Sequence, residues 1–202
     1  GKNIIIDPSL VFENLRLRNT NIALQDWKKV ILLDLFNLIA DWVGPGVCDY
    51  TGVYCTPALD NKRNKIVTNI DLNHGYITEY LLEELGLLTD FFGKVKLMLE
   101  LDLSNNWFTS KFPKVSVMLH LLKFLDLRFN EFEGTVPKEL FDKDLDDIFI
   151  NHNRFKFNLP DNFGNSPVSI IILANNKFHG YVLASLWKMT GLEEIILKNN
   201  RF

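Results

Sequence analysis

LKFLDLRFNEFEGTVP, residues 122–137, follows neither the period of an amphipathic helix nor that of a lone strand. Leu122, Leu125 and Leu127 open it, Asn130 interrupts, Phe132 is apolar again, and Gly134 and Pro137 close it. The same order recurs in MLELDLSNNWFTSKFP (98–113), LDDIFINHNRFKFNLP (145–160), VSIIILANNKFHGYVL (168–183) and LEEIILKNNRF (192–202). A weaker row is VTNIDLNHGYITEYLL (67–82). Asn106, Asn130, Asn153, Asn176 and Asn200 follow one another at 24, 23, 23 and 24 residues. One row would be weak evidence, but five in register define a tandem repeat with the template LxxLxLxxNxFxGxxP.

A single turn of this kind cannot bury its own apolar edge, whereas a stack of turns can. The template therefore predicts an α/β solenoid of leucine-rich repeats. Its short strands pair in parallel on the concave face of a right-handed superhelix, with rungs about 4.8 Å apart. The asparagine sits where the chain leaves the strand and bends inward. Its amide both donates and accepts, so it is suited to backbone groups that no regular element satisfies. The following Phe (Phe108, Phe132, Phe155, Phe178) is expected in the core under that bend. Asn199, one residue before the last ladder position, reads as an exposed site whose substitution costs under about 0.5 kcal/mol.

The text before the repeats has a different character. Asp7-Pro8 looks like a helix start, Asp as N-cap and Pro at the first helical position. Ala23, Trp27, Val30 and Ile31 then form one apolar stripe of an amphipathic helix. A turn-rich stretch, DWVGPGVCDYTGVYC (41–55), carries the only cysteines, Cys48 and Cys55. Such a pair is either a small disulfide ring or half of a metal site. The nearest His is His74, too remote to help complete a zinc tetrahedron, which leaves the disulfide and an oxidising compartment. Residues 1–65 are thus predicted to cap the solenoid and residues 66–202 to form about six rows of it. Between Gly75, in the asparagine slot of the first row, and Asn106 the step is 31 residues. Two ordinary repeats would need about 47, so one repeat reads as partly deleted around Asp90–Gly93.

The 202 residues carry a net charge of −3, which offers no electrostatic reason for a nucleic-acid partner. No run approaches the roughly 18–20 apolar residues of a membrane span. The chain opens at Gly1 without the pattern of a signal peptide, as a mature or excised fragment would. His74 and His152 share a slot at least three rungs apart, on the order of 14 Å, so they cannot share a metal. There is no phosphate loop opening a helix, no GxSxG elbow and no free cysteine nucleophile. The expectation is a binding protein with no catalytic residues, cofactor or metal.

Slot five of each strand text faces the concave side and holds Asp71, Asp102, Asp126, Phe149, Ile172 and Ile196. Three carboxylates on neighbouring rungs are either ordinary exposed strand text or a stripe that steers a basic ligand. The slots just outward add Asn73, His74, Asn105, Arg128, Phe129, Asn151, His152, Asn175 and Lys198 to the candidate face. Of these, Phe129, His152 and Arg128 suit a contact patch.

Several segments carry a closer likeness: IALQDWKKVILLD, CDYTGVYC, PALDN, IDLNHGYIT, LKFLDLRFNEFEGTVPKELF, IFINHNRF and NFGNSPVSIIILANNKFHG. In these the chain resembles the N-terminal half of plant leucine-rich-repeat extensins, over nearly its whole length. The resemblance implies secretion to the cell wall, a role in wall assembly, and binding of rapid alkalinization factor peptides, which are small and basic. Another cell-wall protein is an alternative partner. Departures from the family pattern are Tyr181 and Leu183 where Cys and Pro are expected, and Asp49 where a glycosylatable Asn is usual. With the short step and the stop at Phe202, they read as a truncated or degenerate member. Leu192, Ile195 and Leu197 in the last row then predict an uncapped edge, self-association into a homodimer, and weak or absent peptide binding. Two other readings stay open: a receptor-ectodomain fragment or inhibitor of wall-degrading enzymes, and a truncated product without function.

Overall fold

The LxxLxL text folds into three-residue strands because its apolar side chains point one way and each strand finds partners only in the turns beside it. The computed structural model describes residues 9–79, 97–113, 115–180 and 184–202. In chain order the elements are α1 (Leu15–Val30), β1 (Ile31–Asp34), β2 (Val53–Pro57), β3 (Lys65–Asp71), β4 (Ile77–Glu79), β5 (Glu100–Asp102) and β6 (Phe124–Asp126). There follow β7 (Glu133–Gly134), β8 (Asp147–Phe149), β9 (Arg154–Phe155), β10 (Ile170–Ile172) and β11 (Glu194–Ile196). The main sheet has the order β11-β10-β8-β6-β5-β3-β2, parallel except for the antiparallel β2–β3 pair. Spatial order thus follows chain order, as a solenoid requires. Leu101, Leu125, Ile148 and Ile171 are buried at the inward slot, and short 3₁₀ segments at Lys138–Asp142, Asp161–Asn165 and Ala184–Lys188 carry the chain back between rungs.

Four ladder asparagines are buried and the last, Asn200, is half-buried, each tying its own turn to the one before. Asn130 Nδ2 donates to Leu103 O of the preceding rung at 2.8 Å and to Leu127 O of its own at 3.2 Å. Its Oδ1 accepts the Phe108 N–H at 3.1 Å. Asn106, Asn153, Asn176 and Asn200 repeat the arrangement. Gly75 occupies the same slot in the first row, where the neighbour β2 is antiparallel and presents no equivalent turn. A Cβ there would lie 2.9 Å from Ile77 Cγ1 and 3.0 Å from Asn106 Oδ1. Beneath the ladder Phe108, Phe132 and Phe155 stack one per rung, with centroids 5.9 and 6.1 Å apart.

The cap joins this stack through its backbone. β2 adds to the sheet, and Asp71 N–H donates to Gly52 O at 2.8 Å. Gly52 sits at φ +76 with space for no side chain, since a Cβ would lie 2.3 Å from Asp71 O. Trp42, fully buried, packs on Trp27 of α1 and stacks on Tyr50 at 6.1 Å. Asn21 Nδ2 donates to the Tyr50 hydroxyl and to Gly44 O. The Cys48–Cys55 disulfide closes the loop between the 3₁₀ turn Val47–Asp49 and β2.

The helix start differs from the sequence expectation. Asp7 and Pro8 lie outside the described residues, and the helix that carries the apolar stripe begins at Leu15 with Asn14 as its cap. Asn14 Oδ1 accepts the Leu17 N–H at 3.0 Å, while its Nδ2 donates to Lys65 O at the start of β3. A cap that also anchors the helix to the sheet fixes the start of α1 at Leu15. Ile31 ends the helix and opens β1, which pairs antiparallel with β4. β3 and β5 are immediate neighbours, so the 31-residue step from Gly75 to Asn106 spans one rung interval. Asp90–Gly93, Tyr181 and Leu183 lie outside the described residues.

Candidate functional site: the open face of the sheet

With the leucine slots inward, slots three and five of each strand face the open side. Register therefore aligns Asn69, Glu100, Phe124 and Asp147 in one column and Asp71, Asp102, Asp126 and Phe149 in the next. Each slot-five carboxylate first serves its own chain. Asp71, Asp102 and Asp126 accept, through Oδ1, the N–H two residues on, from Asn73, Ser104 and Arg128 at 3.0, 2.8 and 2.9 Å. This local bond shapes the exit from the strand, as Asp does in turns generally.

At the end nearest the cap, Tyr54, Asn69, Asp71, Glu100, Asp102 and Phe124 line a groove of about 380 Å³. Three carboxylates meet there without a basic residue among the lining groups. Burial holds the Asp102 carboxyl above the usual carboxylate range; the Ser104 N–H and hydroxyl partly oppose this, and Asp71 adds to it. Asp126 is pushed up to about 7, by burial first and then by Asp102 beside it. Its side chain is 1% exposed, contrary to the exposed position expected from sequence. Arg128 explains this. Its guanidinium lies 5.4 Å from the centroid of the Phe149 ring, and its Nε is 3.1 Å from Asp126 Oδ2, so the side chain lies across both. That approach is not aligned as a hydrogen bond, and Oδ2 stays unsatisfied among the described residues.

Further along, the residue preceding each ladder position adopts a left-handed backbone. His74, Asn105, Phe129, His152, Asn175 and Asn199 all have φ between 52 and 56. This turn throws their side chains to one edge of the sheet, where Phe129 stacks on His152 at 4.1 Å. The His152 ring also meets the amides of Asn151 and Asn175, each at 3.0 Å, and Asn199 donates on to Asn175. Burial, and then the charge of Lys198, lower the His152 pKa. A second groove, about 420 Å³, runs along this edge from His74 to His152, past Tyr76, Trp107 and Phe129.

The residues expected on the face thus fall into separate places. Asp71 and Asp102 line the acidic groove, with Asn73 bonded to Asp71 beside it. His74, Asn105, Phe129 and His152 line the edge groove. Asn151 is buried rather than offered for contact, because the His152 ring folds back onto its amide. Asn175 belongs to the edge chain, Phe149 lies under Arg128, and Lys198 is exposed on the last rung. Sequence reasoning missed Glu100, Phe124 and Tyr54 in one groove and Tyr76 and Trp107 in the other. Period-two alternation from Asp102 and Asp126 points to Glu100 and Phe124; no repeat-based signal points to Tyr54, which the cap supplies. Among the described residues no cluster of His, Cys, Asp and Glu is placed to hold a metal, and no helix is long and apolar enough to cross a membrane.

Comparison with known proteins agrees with this architecture. A family model described as Leucine Rich Repeat matches residues 121–142. The leucine-rich repeat extensin-like protein 4 of Arabidopsis thaliana is 58% identical over 212 residues, which cover 96% of this chain and 43% of that protein. The extensin-like protein 3 of the same plant is 60% identical over 216 residues, 95% of this chain and 28% of that protein. The chain therefore spans less than half the length of these relatives. Among solved structures, the ectodomain of the Arabidopsis receptor kinase HAESA, in complex with an N-terminally extended IDA peptide hormone, superposes with a TM-score of 0.71. It is 25% identical, with 92% of this chain and 29% of that one covered.

Proposed function

We propose, for a chain that belongs to the plant leucine-rich-repeat extensin-like family, that the acidic groove of its sheet binds a small basic peptide in the cell wall. In this reading the chain works by recognition and not by catalysis. The observation that carries the proposal is the convergence of Asp71, Glu100 and Asp102 in a groove of about 380 Å³ walled by Tyr54 and Phe124. Carboxylates attract and orient a cationic partner, and flanking aromatic rings accept its ammonium or guanidinium groups. A relative by fold has been solved with a peptide hormone, which supports peptide as the ligand class. Peptides of the rapid alkalinization factor type have the required charge. In this reading residues 1–65 cap the sheet and supply Tyr54, and residues 66–202 supply the rungs.

Calorimetry of the 202-residue chain with such a peptide tests the proposal. Glu100→Gln with Asp102→Asn is expected to weaken binding about tenfold, a loss of about 1.4 kcal/mol. Wild-type affinity is expected to fall with added salt and with acidification, as Asp102, whose carboxyl burial holds above the usual carboxylate range, takes up a proton. Unchanged affinity in the double variant would remove the acidic groove from recognition.

A further inference from the structure

The edge groove differs from the acidic groove in both backbone and charge. Asn105, Asn175 and Asn199 take the left-handed slot in three rungs, as suits asparagine. Phe129 (φ 53) and, two residues beyond the slot in its own row, Tyr76 (φ 48) adopt the same backbone, which is an outlier for bulky residues. Burial does not compensate: Tyr76, Trp107 and Phe129 are 38, 42 and 45% exposed. The repeat imposes the left-handed slot on every rung, so the departure at Phe129 is a bulky, exposed ring where asparagine fits with less strain. Strain held at an exposed position tends to mark sites of function.

The chemistry of the groove narrows the ligand. Tyr76 meets Trp107 edge to face with centroids 5.3 Å apart, and His152 covers one side of Phe129. Exposed rings from three successive rows, Tyr76, Trp107 and Phe129, therefore line one groove. Between them stand the Asn105 amide and the Glu131 carboxylate, the latter held and neutralised by Arg154. Burial and Lys198 favour the neutral form of His152. A cation or an anion finds no net charge to pair with here, whereas a neutral ligand with apolar faces and many hydroxyls finds both rings and hydrogen-bonding groups.

We propose that this edge groove binds a neutral oligosaccharide, one pyranose stacked on Trp107 and the next against Phe129, with hydroxyls bonded to Asn105 and Glu131. The site is independent of the acidic groove and of the peptide reading, since it uses other residues and the opposite electrostatics. The test is titration of the 202-residue chain with cellohexaose and mannohexaose, followed by tryptophan fluorescence and calorimetry, with oligogalacturonate and a basic peptide as separate arms. At least one neutral hexamer is expected to bind saturably, and Trp107→Ala to weaken that binding about tenfold while leaving peptide affinity unchanged. Phe129→Asn is expected to weaken it by a similar factor while raising the melting temperature, because asparagine relieves the left-handed backbone. No saturable binding by either hexamer, binding indifferent to both substitutions, or binding of oligogalacturonate in their place would each overturn the proposal.

Discussion

Asp126→Asn isolates what the sheet imposes on a buried carboxylate. The folded protein lifts the Asp126 pKa from 3.8 to about 7. Below the unfolded value both states hold the proton and the group costs nothing. As pH rises from about 4 to 7 the unfolded chain releases its proton while the folded chain retains it, so stability falls until the full penalty stands above about pH 7. A shift of about three units at 1.36 kcal/mol each sets an upper bound of about 4 kcal/mol. Asparagine keeps the Oδ1 that accepts the Arg128 N–H, but its Nδ2 faces the Arg128 Nε 3.1 Å away. That side chain is 41% exposed and swings to solvent at small cost. The expected gain is therefore about 1–3 kcal/mol at pH 8 and close to zero near pH 4. Urea or thermal melts of both proteins across this range measure it; a gain of ~2 kcal/mol corresponds to about 4–8 °C for a chain of this size. A variant no more stable than wild type at pH 8, or an equal difference at both ends of the range, would refute the buried-charge reasoning.

Asn153→Ala strands the Phe132 N–H and leaves Leu127 O with only the longer bond from Asn130, and chemical denaturation should show a loss of about 1–3 kcal/mol. Asn199→Ala, read from sequence as a neutral control, should instead cost close to 1 kcal/mol, because φ is 56 there and alanine resists the left-handed region. Equal losses at the two positions would count against the ladder. Gly52→Ala meets both a positive φ and a Cβ 2.3 Å from Asp71 O, so a loss above about 2 kcal/mol is expected, together with weaker hydrogen-exchange protection of β2. Reducing Cys48–Cys55 should lower stability by about 2–3 kcal/mol, as the closed loop is short. Mass spectrometry after alkylation without reductant checks the bond itself, and two modified thiols would contradict it.

The repeat text alone determined where the rungs run, because both its signals are local in sequence. Every LxxLxL contributes one inward apolar edge, and every asparagine lies a constant distance beyond it, so spacing translates directly into stacking. Phe108, Phe132 and Phe155 stack for the same reason. The cap was legible only in outline: the apolar stripe of α1 and the cysteine pair stand in the text, but the helix start does not. Asn14 wins that place through a bond to Lys65, 51 residues away. The candidate sites divide in the same way. Slot five marks Asp71, Asp102 and Asp126 as neighbours. Only the fold decides that Arg128 lies over Phe149 and seals Asp126 while Asp71 and Asp102 stay open to the groove. The left-handed turn that carries Phe129 to the edge beside Tyr76 and Trp107 has no residue signature in the rungs that use Phe or His. Burial and backbone handedness arise from contacts between rungs, and a row read by itself contains only one side of each contact.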